Sequence, residues 1–309
     1  MSGLPRPFLG VLRALIRGTL AAMSPAAQPF LNLLGHWATL VIRRFGGPGA
    51  FLAEPAAGPD APTLLLPGPE IPVDAREGDE VAVFVTLDSE SRPLATTRAP
   101  KLTLGEVTFL QVTSTTDFGA FMDWGLPKEL LVPFAEQTTP LRVGDRHPIG
   151  LYLDNSGRLA GTMRISEMLC RGDFRCGEWV EGEAWRHDPE IGWFVIVERG
   201  FVGLVPQEEP HTLTRGQAAR FRVTHVHPDG KIELSLRAPA HVEIAGDAQK
   251  ILNVLHRPGA PQLGDHSSPD QIRALFGLSK KAFKRAAGRL LREGVIDIDA
   301  QGHLRLIKK

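Results

Sequence analysis

The chain of 309 residues has the composition of an ordinary globular protein, with 43% hydrophobic and 23% charged residues. This composition excludes a disordered chain, a collagen and a membrane channel. The 35 Lys and Arg residues balance the 35 Asp and Glu residues, so net charge by itself predicts no acidic partner. Two cysteines give neither a disulfide framework nor a Cys-x-x-Cys metal pair, which favours a reducing, cytoplasmic setting.

The first stretch, residues 1–31, is predicted to be an extension that is disordered or weakly helical. Arg13 and Arg17 interrupt its apolar residues. It therefore lacks both the continuous apolar core of a signal peptide and the uncharged run of a transmembrane helix. We expect no membrane partner, with a basic amphipathic helix lying on a membrane as the alternative for this segment.

A unit of short apolar runs occurs three times and is the most informative feature of the sequence. Each copy has a Gly-x-Phe segment followed by an apolar run that ends in Pro. The glycines are Gly49, Gly119 and Gly192, and the prolines are Pro67, Pro133 and Pro206. The glycine and the proline are 18, 14 and 14 residues apart in the three copies. The spacing in the first copy is longer because of a Pro-rich insertion at 53–62. Three further glycines are taken to open the copies, namely Gly35, Gly105 and Gly182.

The apolar runs of the repeat show the alternation of strands. Residues 81–86 and 221–226 alternate, and turn residues separate such runs at 155–157 and 228–230. Five short strands in each copy favour a small barrel, because closure removes exposed strand edges. The sequence therefore predicts a mainly β protein with three tandem five-stranded barrels, at 32–101, 102–169 and 170–239.

After the third copy the hydrophobic period changes to that of helices, and residues 240–309 are predicted to form an α+β winged helix. The first helix is predicted to start at Gly246. Ser268 and Ser279 are expected to cap the second and third helices, the third covering residues 280–292. Two apolar runs within 295–307 complete the unit as a hairpin.

The C-terminal segment is basic, although the whole chain is neutral. Residues 246–309 contain 12 Lys and Arg residues against 6 Asp and Glu residues. Five cations on the third helix predict contact with nucleic-acid phosphates: Lys281, Lys284, Arg285, Arg289 and Arg292. The alternatives are a solvated cationic face and a protein-docking module.

The repeat resembles a known family. The motifs Gly-x-Val, Phe-Gly-Ala-Phe, Leu-Val-Pro and Gly-Asp of the second copy are similar to those of the S1 RNA-binding domain, a barrel of the oligonucleotide-binding type. The run 123–133, joined to a winged helix, resembles the conserved virulence factor B family of bacterial RNA-binding regulators. This resemblance covers roughly residues 32–309, and it implies a cytoplasmic post-transcriptional regulator without catalytic activity.

The S1 resemblance also implies which residues contact RNA. The pattern uses one or two exposed Phe in each copy, together with an acid and a base four residues apart in the turn between the last two strands. The predicted contacts are Phe118, Phe121, Asp154 and Arg158 in the second copy, Phe51 and Arg92 in the first, and Phe194 and Lys231 in the third. Pro48 and Ile191 replace the first Phe in the outer copies. The alternative for each ring is burial in a barrel core.

No catalytic constellation occurs in the sequence. It contains no phosphate-binding loop, no Gly-x-Ser-x-Gly elbow and no His-Glu-x-x-His motif. We therefore predict no enzyme activity, no cofactor, no metal site and no small-molecule substrate. The predicted function is regulation of gene expression by binding single-stranded RNA. The alternatives are a winged-helix transcription regulator with DNA as its partner, and a protein-interaction adaptor.

Overall fold

The computed structural model describes residues 30–209, 212–237, 240–256, 263–264, 266–299 and 301–307, with the backbone alone for 240–245. The predicted N-terminal extension therefore lies outside the described residues, apart from its last two. The chain divides into two compact units, Met1–Leu236 and Arg237–Lys309. None of the helices in the described ranges has the length and apolar character that spanning a bilayer requires.

The first unit contains the three predicted five-stranded barrels. Barrel 1 consists of β1 (Trp37–Gly46), β2 (Gly49–Ala53), β3 (Leu64–Pro67), β4 (Glu80–Leu87) and β5 (Pro93–Thr96). Barrel 2 consists of β6 (Val107–Thr115), β7 (Gly119–Asp123), β8 (Leu130–Pro133), β9 (Arg146–Leu153) and β10 (Leu159–Thr162). Barrel 3 consists of β11 (Trp179–Asp188), β12 (Gly192–Val197), β13 (Phe201–Pro206), β14 (Ala218–Val226) and β15 (Ile232–Ser235).

The three barrels share one topology. Barrels 1 and 3 are closed, with strand orders β1-β2-β3-β5-β4 and β11-β12-β13-β15-β14. Barrel 2 has the equivalent order β10-β9-β6-β7-β8, without a ladder between its end strands β8 and β10. At this seam the N–H of Met163 donates to the carbonyl of Glu136 at 2.9 Å. The prediction of three barrels is confirmed.

The prediction that Gly182 opens barrel 3 is wrong. Gly35 and Gly105 have positive φ, and their N–H groups donate to the fourth strand of their barrels. In barrel 3 it is Gly177, with φ 91°, that does so, donating to Val223 at 2.8 Å. Gly182 lies inside β11, where a Cβ would stand 2.7 Å from Val195. Glycine is required at position 182 because the packed core leaves no space for a Cβ, and not because a turn requires a positive φ.

Barrels 1 and 2 are joined by a buried aromatic contact. Phe84 of β4 is fully buried and packs with the core residues of barrel 2. Its ring meets Trp37 and Trp124 edge-on, with centroids 6.0 and 6.1 Å away. The indole N–H of Trp124 donates to the carbonyl of Lys128 at 2.6 Å, which satisfies its one polar group. Phe30, assigned to the extension from the sequence, is buried in the barrel 1 core.

The second unit has the three helices and the hairpin of a winged helix. Its elements are α1 (Ala240–Leu255), α2 (Pro269–Phe276), α3 (Lys280–Arg292), β16 (Ile296–Ile298) and β17 (Leu304–Leu306). Ser268 and Ser279 cap α2 and α3 by accepting hydrogen bonds from backbone N–H groups, as predicted. The predicted start of α1 at Gly246 is wrong, because the helix begins at Ala240. Gly246 is exposed, so the helix passes through it without loss of packing.

Replacing Phe84 by Ala is expected to lower the free energy of unfolding of the first unit by about 3–5 kcal/mol, because the cavity would lie between two barrels. Urea unfolding followed by tryptophan fluorescence measures the change. Phe45→Ala is the control, since Phe45 is 41% exposed and its loss should cost about 0.5 kcal/mol or less. Equal effects of the two substitutions would show that the contact at Phe84 does not hold the barrels together.

Candidate nucleic-acid interface

A β-bulge in the first strand of each barrel shapes its outer surface. The cross-strand register shifts between Ile42 and Arg44 in β1, between Val112 and Ser114 in β6, and between Ala184 and Arg186 in β11. The extra residue turns the next side chain outward instead of inward. The outward Phe of the second strand, Phe51, Phe121 or Phe194, consequently faces Arg44, Ser114 or Arg186.

Barrel 2 carries an exposed aromatic pair on its outer surface. In β7, Ala120 and Met122 point into the core, and Phe121 between them points outward and is half-buried. Phe118, in the preceding turn, is 54% exposed. The two ring centroids are 6.0 Å apart with planes at 89°, an edge-to-face pair. The alternative that these rings fill the core is therefore wrong for Phe118 and Phe121.

A glycine fixes the position of this pair. At Gly119, between the two rings, a Cβ would stand 2.5 Å from the carbonyl oxygen of Val132. Only glycine allows β8 to approach β7 this closely. The N–H of Thr116 donates to the carbonyl of Gly119 at 2.8 Å and closes the turn that holds Phe118 outside.

Two further aromatic side chains of barrel 2 were missed from the sequence. Phe134, directly after β8, is 56% exposed, and its N–H donates to the carbonyl of Phe118 at 3.3 Å. Tyr152 lies on the outer side of β9, where burial, followed by the negative charges of Glu136 and Asp154, raises the pKa of its phenol to about 12. The sequence signal for Phe134 is its place directly after Pro133, at the end of the third strand of the repeat.

The predicted acid and base of barrel 2 lie in the turn between its last two strands. The carboxylate of Asp154 accepts hydrogen bonds from the N–H groups of Ser156 and Arg158, at 2.7 and 3.0 Å. Asp154 therefore shapes the turn that displays Arg158. The side chain of Arg158 is exposed and has no carboxylate within 4.0 Å among the residues described.

The corresponding cations of barrels 1 and 3 are ion-paired. Arg92 meets Asp88 at 2.7 Å, and Lys231 meets Asp229 at 3.0 Å. Burial alone would raise the pKa of Asp88, but hydrogen bonds from Arg92 and from the N–H of Glu90 lower it. Of these three cations, Arg158 of barrel 2 is the one without a carboxylate partner in the described structure.

The outward rings of barrels 1 and 3 are each covered by an arginine. The guanidinium carbon of Arg44 lies 3.6 Å from the ring centroid of Phe51. That of Arg186 lies 4.6 Å from Phe194 and 5.5 Å from Trp185. The sequence pattern does not identify either arginine, because plain alternation predicts that both side chains point inward.

In the winged helix, the apolar side of α3 is buried and the predicted cations lie outside it. Phe283, Ala286, Ala287 and Leu290 enter the core. The exposed cations are Lys281, Lys284, Arg285 and Arg292, and Arg289 is half-buried. Arg289 pairs with Glu293 at 2.7 Å, which neutralises part of its charge. No group of His, Cys, Asp or Glu that could hold a metal ion occurs in the described ranges.

Comparisons with known proteins agree with this architecture. The S1 domain family matches residues 34–98 and 104–164, and the CvfB-like winged helix domain family matches residues 249–306. Conserved virulence factor B of Staphylococcus epidermidis (strain ATCC 12228) is 30% identical over 267 residues, covering 82% of this chain and 89% of that protein. The chain belongs to the conserved virulence factor B family.

Two other proteins are similar along most of the chain. Bacillus subtilis YitL is 33% identical over 275 residues, covering 85% of this chain and 90% of that one. A Streptococcus pneumoniae crystal structure, described as a multidomain protein with nucleic acid binding domains, is 28% identical with a TM-score of 0.38, covering 89% and 99% of the two chains. The S1 and winged-helix families are nucleic-acid-binding domains, so this member of the virulence factor B family is a nucleic-acid-binding protein.

The pKa of Tyr152 provides a direct test of the surface of barrel 2. Because the folded pKa is raised, the phenol is expected to remain neutral past pH 10 and to titrate near 12. The contribution of Tyr152 to the free energy of unfolding is fully present below the pKa of tyrosine in the unfolded chain, about 10. This contribution is lost as the pH rises towards 12. Ultraviolet difference spectroscopy follows the ionisation without ambiguity, since the chain has one tyrosine.

The variant Glu136→Gln should lower the pKa of Tyr152, because it removes a negative charge that disfavours the phenolate. Glu77→Gln, on an exposed residue of barrel 1, is the control and should leave the titration unchanged. An ordinary pKa near 10 in the unaltered protein would contradict the described burial of the ring.

Proposed function

We propose that the protein regulates gene expression after transcription, in the cytoplasm, by binding single-stranded RNA. The observation that carries this proposal is the outward-facing pair Phe118 and Phe121 on barrel 2, of which Phe118 is 54% exposed. Bases of a single strand stack on such rings, and each stacked base contributes about 1–3 kcal/mol. The name conserved virulence factor B, borne by the Staphylococcus relatives, supports a regulatory role linked to virulence.

The surroundings of the pair fit a single strand. Phe134 adds a third exposed ring beside Phe118, so the surface offers more than one stacking position. Arg158 supplies a cation without a carboxylate partner among the described residues, and phosphates follow bases along the strand. Duplex DNA keeps its bases stacked inside, so exposed rings favour an unpaired strand.

Several RNA-binding modules on one chain raise the affinity of the whole protein for RNA. When one barrel is bound, its neighbours meet the same strand at a high effective concentration, so weak modules give tight binding together. We propose the eight predicted barrel residues and the cations of α3 as the contact set. Within this set Asp154 also holds the turn that displays Arg158.

The variant Phe118→Ala/Phe121→Ala is expected to weaken binding of a single-stranded RNA by roughly 5-fold to 150-fold for each stacked base that is lost, because a stacked base contributes about 1–3 kcal/mol. Fluorescence anisotropy with a labelled oligonucleotide measures the change. Val143→Ala is the matched control, since Val143 is an equally apolar residue of barrel 2 that is 63% exposed. Phe134→Ala alone should give a smaller loss.

Binding as tight as that of the unaltered protein in the double variant would contradict the stacking role of barrel 2. Complete absence of RNA affinity in the unaltered chain at low salt would favour a protein-interaction adaptor. Near-ultraviolet circular dichroism shows whether the variants keep their fold.

The second candidate function is transcription regulation through the winged helix, favoured by the exposed cations of α3. Charge reversal by Lys281→Glu/Arg285→Glu should weaken RNA binding and leave the preference for RNA over duplex DNA unchanged. Lys250→Glu on α1 is the control, because Lys250 is already paired with Asp247 at 3.4 Å. A preference for duplex DNA in the unaltered chain, lost on charge reversal in α3, would instead support the transcription regulator.

A further inference from the structure

The three barrels differ at one pair of positions on an otherwise common surface. Opposite the outward Phe stands Arg44 in barrel 1, Ser114 in barrel 2 and Arg186 in barrel 3. The residue before the Gly-x-Phe segment changes with it, being Pro48, Phe118 and Ile191. In barrel 2 the ring of Phe118 contacts the outward Phe, whereas in barrels 1 and 3 the guanidinium group of an arginine contacts it.

We propose that barrels 1 and 3 hold RNA by its phosphates, through Arg44 and Arg186, while barrel 2 holds its bases. This inference rests on the proposed function and assigns one chemistry to the two outer barrels and another to barrel 2. At 3.6 Å from the centroid, the guanidinium of Arg44 occupies the ring face of Phe51 on which a base would stack. The ring of Phe121 has no such cover in the described structure, because Ser114 is too short.

The charge of the two arginines is available to a ligand. Several other arginines of the barrels are bound to carboxylates, such as Arg92 to Asp88 and Arg98 to Glu70. Arg44 and Arg186 are exposed, and within the described residues neither has a carboxylate within 4.0 Å or donates a hydrogen bond to the protein. An arginine that lies on a ring keeps its N–H donors free at its edge, where a phosphate binds two at once.

The aromatic ring beneath each arginine pre-organises the arginine side chain for binding a phosphate. A cation over an aromatic face is attracted to it, which restricts the long side chain before the ligand arrives. Arg186 is restrained on two sides, by Phe194 and by Trp185. Less side-chain entropy is then lost when a phosphate binds. The bulge fixes both arginines at the same place relative to the barrel, so they form equivalent phosphate contacts on the two outer barrels.

The salt dependence of RNA binding tests this assignment. Each phosphate neutralised by the protein contributes about 0.7 to the slope of log K against log salt concentration for a single strand. Arg44→Ser/Arg186→Ser, which gives the outer barrels the residue of barrel 2, is expected to reduce the slope by about 1.4 and to weaken binding most at low salt. Phe118→Ala/Phe121→Ala should weaken binding with the slope unchanged.

The reciprocal variant Ser114→Arg should make the slope steeper by about 0.7, because it adds a phosphate contact to barrel 2. All measurements use the full chain and one labelled single-stranded oligonucleotide, with thermal unfolding as the check that each variant folds. Arg76→Ser is the control, an exposed arginine in the loop before β4 with no ring contact in the described structure, and should leave the slope unchanged.

An unchanged slope in the double arginine variant would overturn the inference, and so would a gain in affinity, which would mean that the arginines cover stacking surfaces. Either result can occur while the aromatic variant still loses affinity, so failure of the inference is distinguishable from failure of the proposed function. If the unaltered chain binds no RNA at any salt concentration, both are overturned.

Discussion

The outer surface of every barrel depends on one extra residue in its first strand. Without the bulge, residues 44, 114 and 186 would point into the core. The guanidinium groups of Arg44 and Arg186 would then be buried among apolar side chains, which is unfavourable. With it, each of these residues stands opposite the outward Phe of the next strand. The bulge therefore converts a packing position into a surface position and decides what covers the aromatic ring.

On this common frame the barrels differ by a few side chains. Barrel 2 combines two rings in edge-to-face contact, an exposed Phe134 and an Arg158 that is unpaired in the described structure. Barrels 1 and 3 combine a ring with an arginine, and the cations of their last turns are engaged with Asp88 and Asp229. Repetition of the backbone allows such specialisation, because the strands carry the fold and the outward side chains are free to vary.

The two compact units use different means to present positive charge. In the barrels, aspartates hold turns by accepting backbone N–H groups and thereby position the neighbouring cation. In the winged helix, α3 is anchored by its buried Phe283 and Leu290, and the same helical period that buries them exposes Lys281 and Arg285. In both cases the charge is displayed by a rigid element, which reduces the entropy lost on binding.

The sequence by itself determined what depends on local chemistry: the alternating strands, the turns at 155–157 and 228–230, the serine caps and the span of α3. The outward position of Phe121 also follows from alternation. Tertiary structure alone decided which glycine opens barrel 3, where α1 begins and which residue faces each ring. These features depend on cross-strand register and on packing between distant segments. A single inserted residue reverses the alternation after it, so a local pattern cannot reveal the partner of Phe51 or Phe194.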